Sequence, residues 1–104
     1  MLMIPTNDMR VIRLVIRDNE VLYARYIMKL VKRAMKRTEE SISVFESPNQ
    51  EIKGILTDKT FRSAISGCID VFVRHEEFEL AGNAQQIADL VEIHFLLEPS
   101  VPNL

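Results

Sequence analysis

From Glu20 to Thr38, apolar and basic residues separate onto two sides of a helix. At about 100° per residue, Tyr23, Ile27, Leu30, Val31 and Ala34 share one face. Arg25, Lys29, Lys32, Arg33 and Lys36 share the opposite one. The segment has no glycine or proline and is rich in Leu, Met, Ala, Lys and Arg, which predicts a helix over 20–38. Glu20 at its start and Lys36 and Arg37 at its end suit the helix dipole.

Residues 9–17 carry two competing patterns. Val11, Ile12, Val15 and Ile16 are β-branched, and a strand would place Ile12, Leu14 and Ile16 on one face. A helix gathers Arg10, Arg13 and Arg17 within about 60° and leaves the remaining arc apolar. That segregation is cleaner, so a helix is predicted, with the strand as alternative. Thr6, Asn7 and Asp8 are all N-cap residue types, and Asp18-Asn19 breaks the pattern before the long helix. Residues 1–7 are expected to form a flexible end.

Ser41 to Glu46 alternates, with Ile42 and Val44 on one side. Ser47-Pro48-Asn49-Gln50 is a turn composition, and Ile52 and Leu56 resume on one side with Gly54 between them. A short β-hairpin over 41–56 is predicted. Thr57 or Asp58 then opens a third helix, expected over 58–79, on which Phe61, Ala64, Ile65, Cys68 and Phe72 follow the helical period. Asp70 and Arg74 are spaced for an i,i+4 ion pair. Gly67 costs this helix about 1 kcal/mol relative to alanine, and suggests close approach of a neighbouring helix.

Leu80-Ala81-Gly82 predicts a break, and Asn83 with Gln86 three residues on predicts a capping box opening a helix over 84–97. Leu80 and Ile87 would form a staple there. Ile87, Leu90, Val91 and Phe95 form the expected core stripe, and Pro99 begins a flexible end over 99–104. The predicted fold is a mainly α, compact bundle of three or four helices with a short β-hairpin at 41–56. The alternative is an α+β fold with residues 10–17 as a strand. No repeat or linker divides the chain, so residues 1–104 read as a single domain.

Composition narrows the class. Hydrophobic residues at 47% and charged residues at 27% describe a globular chain rather than a disordered one. Cys68 is the only cysteine, so no internal disulfide can form and a reducing, cytoplasmic location is expected. Met-Leu-Met-Ile-Pro lacks the charged region and apolar stretch of a secretory signal. No apolar run approaches the roughly 18 residues of a membrane span, so no membrane role is expected. The net charge of −2 is unevenly placed. Residues 1–40 carry nine Lys/Arg and five Asp/Glu, a net +4; residues 41–104 carry four and ten, a net −6.

The basic face at Arg25, Lys29, Lys32, Arg33 and Lys36 is the candidate contact for nucleic acid or an acidic partner, because each neutralised phosphate releases counterions. Arg10, Arg13 and Arg17 would extend it, and Tyr26 at its edge could stack on a base. A helix-turn-helix over 58–79 and 84–97 is excluded. Its second helix would present Gln85, Gln86, Asp89 and Glu92, with no Lys or Arg to meet phosphate.

Catalytic and metal chemistry find no constellation. His75 and His94 fall toward the C-terminal ends of two helices that a short connection makes antiparallel, so their rings lie at opposite ends. His75-Glu76-Glu77-Phe78-Glu79 lacks the second histidine of a zincin motif. His75 is better suited to stabilising a helix C-terminus. Cys68 sits among Ala64, Ile65 and Phe72, which predicts a buried, inert thiol. The three glycines, at 54, 67 and 82, are too dispersed for a phosphate loop. No cofactor is expected, and an enzyme is not.

The long helices carry more apolar surface than one stripe needs. Tyr26, Met28, Met35, Ile93 and Leu97 are the expected partner-facing residues, with Leu96 beside them. Met28 and Met35 would suit an adaptable surface. The expected function is a non-enzymatic protein-protein interaction module, a small adaptor or regulator that self-associates as a homo-oligomer. The alternative is a nucleic-acid-binding accessory protein using the basic helix face 25–36.

Overall fold

The structure, a computed structural model, describes residues 1–97. The expected flexible end at 99–104 lies outside the described residues. The described chain runs β1 (Leu2–Met3), α1 (Met9–Asp18), α2 (Glu20–Arg37), β2 (Ser41–Glu46), β3 (Lys53–Thr57), a single 3-10 turn (Asp58–Thr60), α3 (Phe61–Arg74) and α4 (Phe78–Leu97). It is a mainly α fold of four helices with a small three-stranded sheet.

Residues 9–18 are helical, as the clustering of the arginines predicts. Asp8 caps α1 through its carboxylate, which accepts from the Arg10 N–H at 2.9 Å. Asn19 ends α1 and begins α2, but its side chain makes no cap bond to α2: its amide donates to the Val15 carbonyl at 2.8 Å. The two helices meet at this residue. α2 then buries Ala24, Ile27, Met28, Leu30, Val31 and Ala34. It is the central element, in contact with α3, α4 and β2.

The hairpin forms as predicted, antiparallel, with Ile42 and Val44 buried. Between Ser43 and Phe45 the register slips by one residue, so Phe45 opposes Gly54 and both Val44 and Phe45 turn inward. The sheet order is β1-β2-β3. β1 pairs with β2 in parallel, Leu2 opposite Phe45 and Met3 opposite Glu46, and Ile4 is buried behind it. The N-terminal segment, expected to be a flexible end, thus joins the sheet.

The break between the last two helices differs from expectation. α4 runs unbroken through Leu80-Ala81-Gly82, and Asn83 and Gln86 lie within it rather than in a capping box. With both inside one helix, the Leu80–Ile87 staple does not form at an entry. The chain turns instead at His75-Glu76-Glu77, where Glu76 adopts a left-handed φ of 57°. Glu76 N–H donates to Val73 O at 3.0 Å and Glu77 N–H to Phe72 O at 2.7 Å. This is the paired bonding of a Schellman cap, with glutamate where glycine is usual. α2 ends the same way at Thr38, with φ 52° and the Glu39 N–H donating to Ala34 O at 3.0 Å.

α3 and α4 pack against each other and on α2. α3 contributes Phe61, Ile65, Cys68 and Phe72 to the core, as its period predicts. α4 contributes Ala84, Ile87 and Val91. Leu90 and Phe95, expected in the α4 core stripe, are exposed. Arg62 joins α3 to α4, pairing with Glu92 at 2.9 Å and lying over the Phe95 ring at 5.2 Å. Among the described residues, no helix is long and apolar enough to cross a membrane.

Candidate functional site

α2 presents Arg25, Lys29, Lys32, Arg33 and Lys36 to solvent, opposite its buried face. Among the described residues none of the five takes part in an ion pair. Tyr26, expected at the edge of this stripe, is half-buried. Its hydroxyl donates to the Val44 carbonyl at 2.6 Å, tying α2 to the sheet. It thereby bridges the helix and the sheet.

The expected partner-facing residues divide. Met28 is buried and Met35 half-buried, both on the packed side of α2. Met28 is thereby covered by the chain's own packing, while Tyr26 and Met35 keep part of their surface in solvent. Ile93 and Leu97 stand in solvent, 52% and 76% exposed, and Leu90 joins them at 51%. Asn83, Gln86, Leu90, Ile93 and Leu97 follow one another at alternating steps of three and four residues, all exposed. That spacing is the heptad seam of a helix that packs on another helix. α4 packs on the core through Ala84, Ile87 and Val91 and leaves Leu90, Ile93 and Leu97 bare. Among the described residues no element covers these three side chains.

The histidines are separated, as the antiparallel order requires. His75 closes α3, its N–H donating to Val71 O at 3.1 Å and its Nε2 lying 2.5 Å from Glu20 Oε1. Arg74 pairs with the same carboxylate at 2.8 Å, not with Asp70 as spacing suggested. The long-range partner gains two guanidinium contacts, at 2.8 and 3.3 Å. The Arg74 guanidinium first, and the His75 ring second, hold Glu20 below the usual carboxylate range. His94 lies beside Thr38, Glu39 and Asp58 at the other end of α2. Among the described residues no group of three His, Cys, Asp or Glu side chains is placed to hold a metal.

Cys68 is buried, and its thiol donates to the Ala24 carbonyl at 3.4 Å. Burial pushes its pKa up to about 11, which suppresses thiolate at neutral pH. It also forms part of a feature that sequence reasoning missed. A groove of about 480 Å³ opens between α1, α2 and α3, with Arg13 and Arg17 among its lining. Gly67 opens onto it: a Cβ there would meet nothing within 4 Å. The glycine admits empty space, not the neighbouring helix its position suggested.

No family model, curated protein or solved structure matches this chain.

Proposed function

We propose that the protein is a non-enzymatic interaction module that self-associates through α4, with a cytoplasmic adaptor or regulator as its setting. One observation carries this reading: Leu90, Ile93 and Leu97 form an exposed seam at heptad spacing on a flank of α4 beside its core face. A second copy is the simplest partner, because a twofold axis lets the same seam bury itself. Burying three large aliphatic side chains provides the apolar centre such an interface needs, and the polar Asn83 and Gln86 limit its register.

Cross-linking tests it. In a Cys68→Ala background, mild oxidation of Leu90→Cys, Ile93→Cys or Leu97→Cys should give a covalent dimer from at least one of the three. Gln85→Cys, off the seam, should not. Dimer yields no higher than that of the Gln85 variant would dispose of the α4 interface.

The basic face supports a second reading, binding of nucleic acid, because its five cations are exposed and unpaired among the described residues. Replacing Lys29 and Lys32 with glutamine should then weaken binding of any probe sequence alike and flatten its salt dependence. No shift of single- or double-stranded probes at low salt removes this reading.

A further inference from the structure

The groove between α1, α2 and α3 has the make-up of a small-molecule site. Its volume of about 480 Å³ falls in the range of ligand pockets. Ile16, Ile27, Leu56 and Val71 give it apolar walls, and Cys68 lies buried against it. Ile16, Leu56 and Val71 are only half-buried, so the groove leaves apolar surface of the core uncovered.

Three of the polar side chains at the groove, Cys68, Ser63 and Glu20, are occupied within the protein. The Cys68 thiol donates to Ala24 O, and the Ser63 hydroxyl donates to Thr60 O at 3.1 Å. Glu20, the one carboxylate in the lining, is engaged by Arg74 and His75. Its charge is thereby offset within the protein. Arg13, Arg17 and the Tyr23 hydroxyl make no such bond, and the two arginines are the charged groups among them. Both guanidinium groups are exposed, Arg13 has no ion-pair partner among the described residues, and Arg17 has only a 3.9 Å approach to the exposed Asp18. They stand one helical turn apart on α1, on the same side of that helix.

We infer that this groove binds a small amphipathic anion, an acyl chain carrying a carboxylate, with the chain against the apolar walls and the carboxylate on Arg13 and Arg17. The chemistry recognises charge sign and apolarity together. A guanidinium pair favours a planar carboxylate, while the walls offer nothing to a polar body. The site is independent of the α4 seam and does not depend on self-association.

Titration calorimetry with dodecanoate, kept below its micelle concentration, tests this on the full chain. Dodecanoate should bind saturably, and dodecanol and dodecyltrimethylammonium should bind at least about tenfold more weakly, the loss expected for a missing charge-assisted contact. The double variant Arg13→Gln, Arg17→Gln should weaken dodecanoate by about tenfold or more for the same reason. Gly67→Leu, which projects a side chain into the groove from a position with open space, should abolish binding while keeping the helical circular dichroism of the parent. Gly67→Ala serves as its folded control. Absence of saturable binding by the parent overturns the inference. So does equal binding of the three probes, or dodecanoate binding that survives in folded Gly67→Leu.

Discussion

The ring of Phe45 lies directly on Gly54, across the β2–β3 ladder at the point where its register slips. A Cβ at position 54 would overlap the ring, so the bulge that turns Phe45 inward depends on the missing side chain opposite it. Gly54→Ala should therefore lower stability by about 1–3 kcal/mol, the usual cost of overpacking. Urea denaturation checks this, and an unchanged midpoint would contradict the packing described.

The α3–α4 turn makes the opposite prediction. Glu76 is exposed and holds φ at 57°, a conformation that costs a residue with a Cβ about 1–2 kcal/mol. Glu76→Gly should raise stability by about 1 kcal/mol, with the relief of strain partly offset by the greater freedom of the unfolded chain. Thermal unfolding reads the sign directly. A lower midpoint would mean that the Schellman turn is not the connection between these helices.

These two positions also explain how far the sequence could be read. Segregated arginines were enough to make α1 a helix, and alternation at Ile42 and Val44 marked the hairpin. The α3–α4 break was not legible because the nearby glycine, Gly82, lies in mid-helix while a glutamate occupies the left-handed position of the turn. β1 was missed because two residues show no alternation, and its partner lies more than forty residues away in sequence. In the candidate surfaces, Ile93 and Leu97 were legible as excess apolar residues. Met28 was not separable from them, since period alone does not say which of two apolar arcs a tertiary neighbour covers. The groove arises from where α1 lies against α2 and α3, and its sequence trace was limited to a mid-helix glycine and two arginines.

Glu20 links the start of α2 to the end of α3 through Arg74 and His75, and folding lowers its pKa from the ordinary 4.5. A depressed carboxylate contributes stability above its unfolded pKa and loses it as pH falls through the folded value. Glu20→Gln should thus lower the melting temperature at pH 6 to 7. The gap to the parent should close progressively below about pH 4.5. A gap that stays constant into the acid range would show that the ionised form of Glu20 is not what matters.

Core and seam should separate cleanly under truncation. Met28→Ala removes a buried side chain and should cost about 2–5 kcal/mol. Ile93→Ala, on the exposed face of α4, should change the stability of the monomer by no more than about 0.5 kcal/mol. Chemical denaturation at low protein concentration distinguishes the two. Equal losses would mean that Ile93 is part of the core.

The proposed seam on α4 would pair with the same seam on another copy of the chain. Light scattering coupled to size exclusion, across protein concentration and at low and high salt, measures this directly. The parent should run at twice the chain mass at high concentration, with little loss in high salt because the seam is apolar, and Ile93→Lys should run as a monomer throughout. A parent that stays monomeric at every concentration, or an Ile93→Lys variant that keeps the dimer, would contradict it.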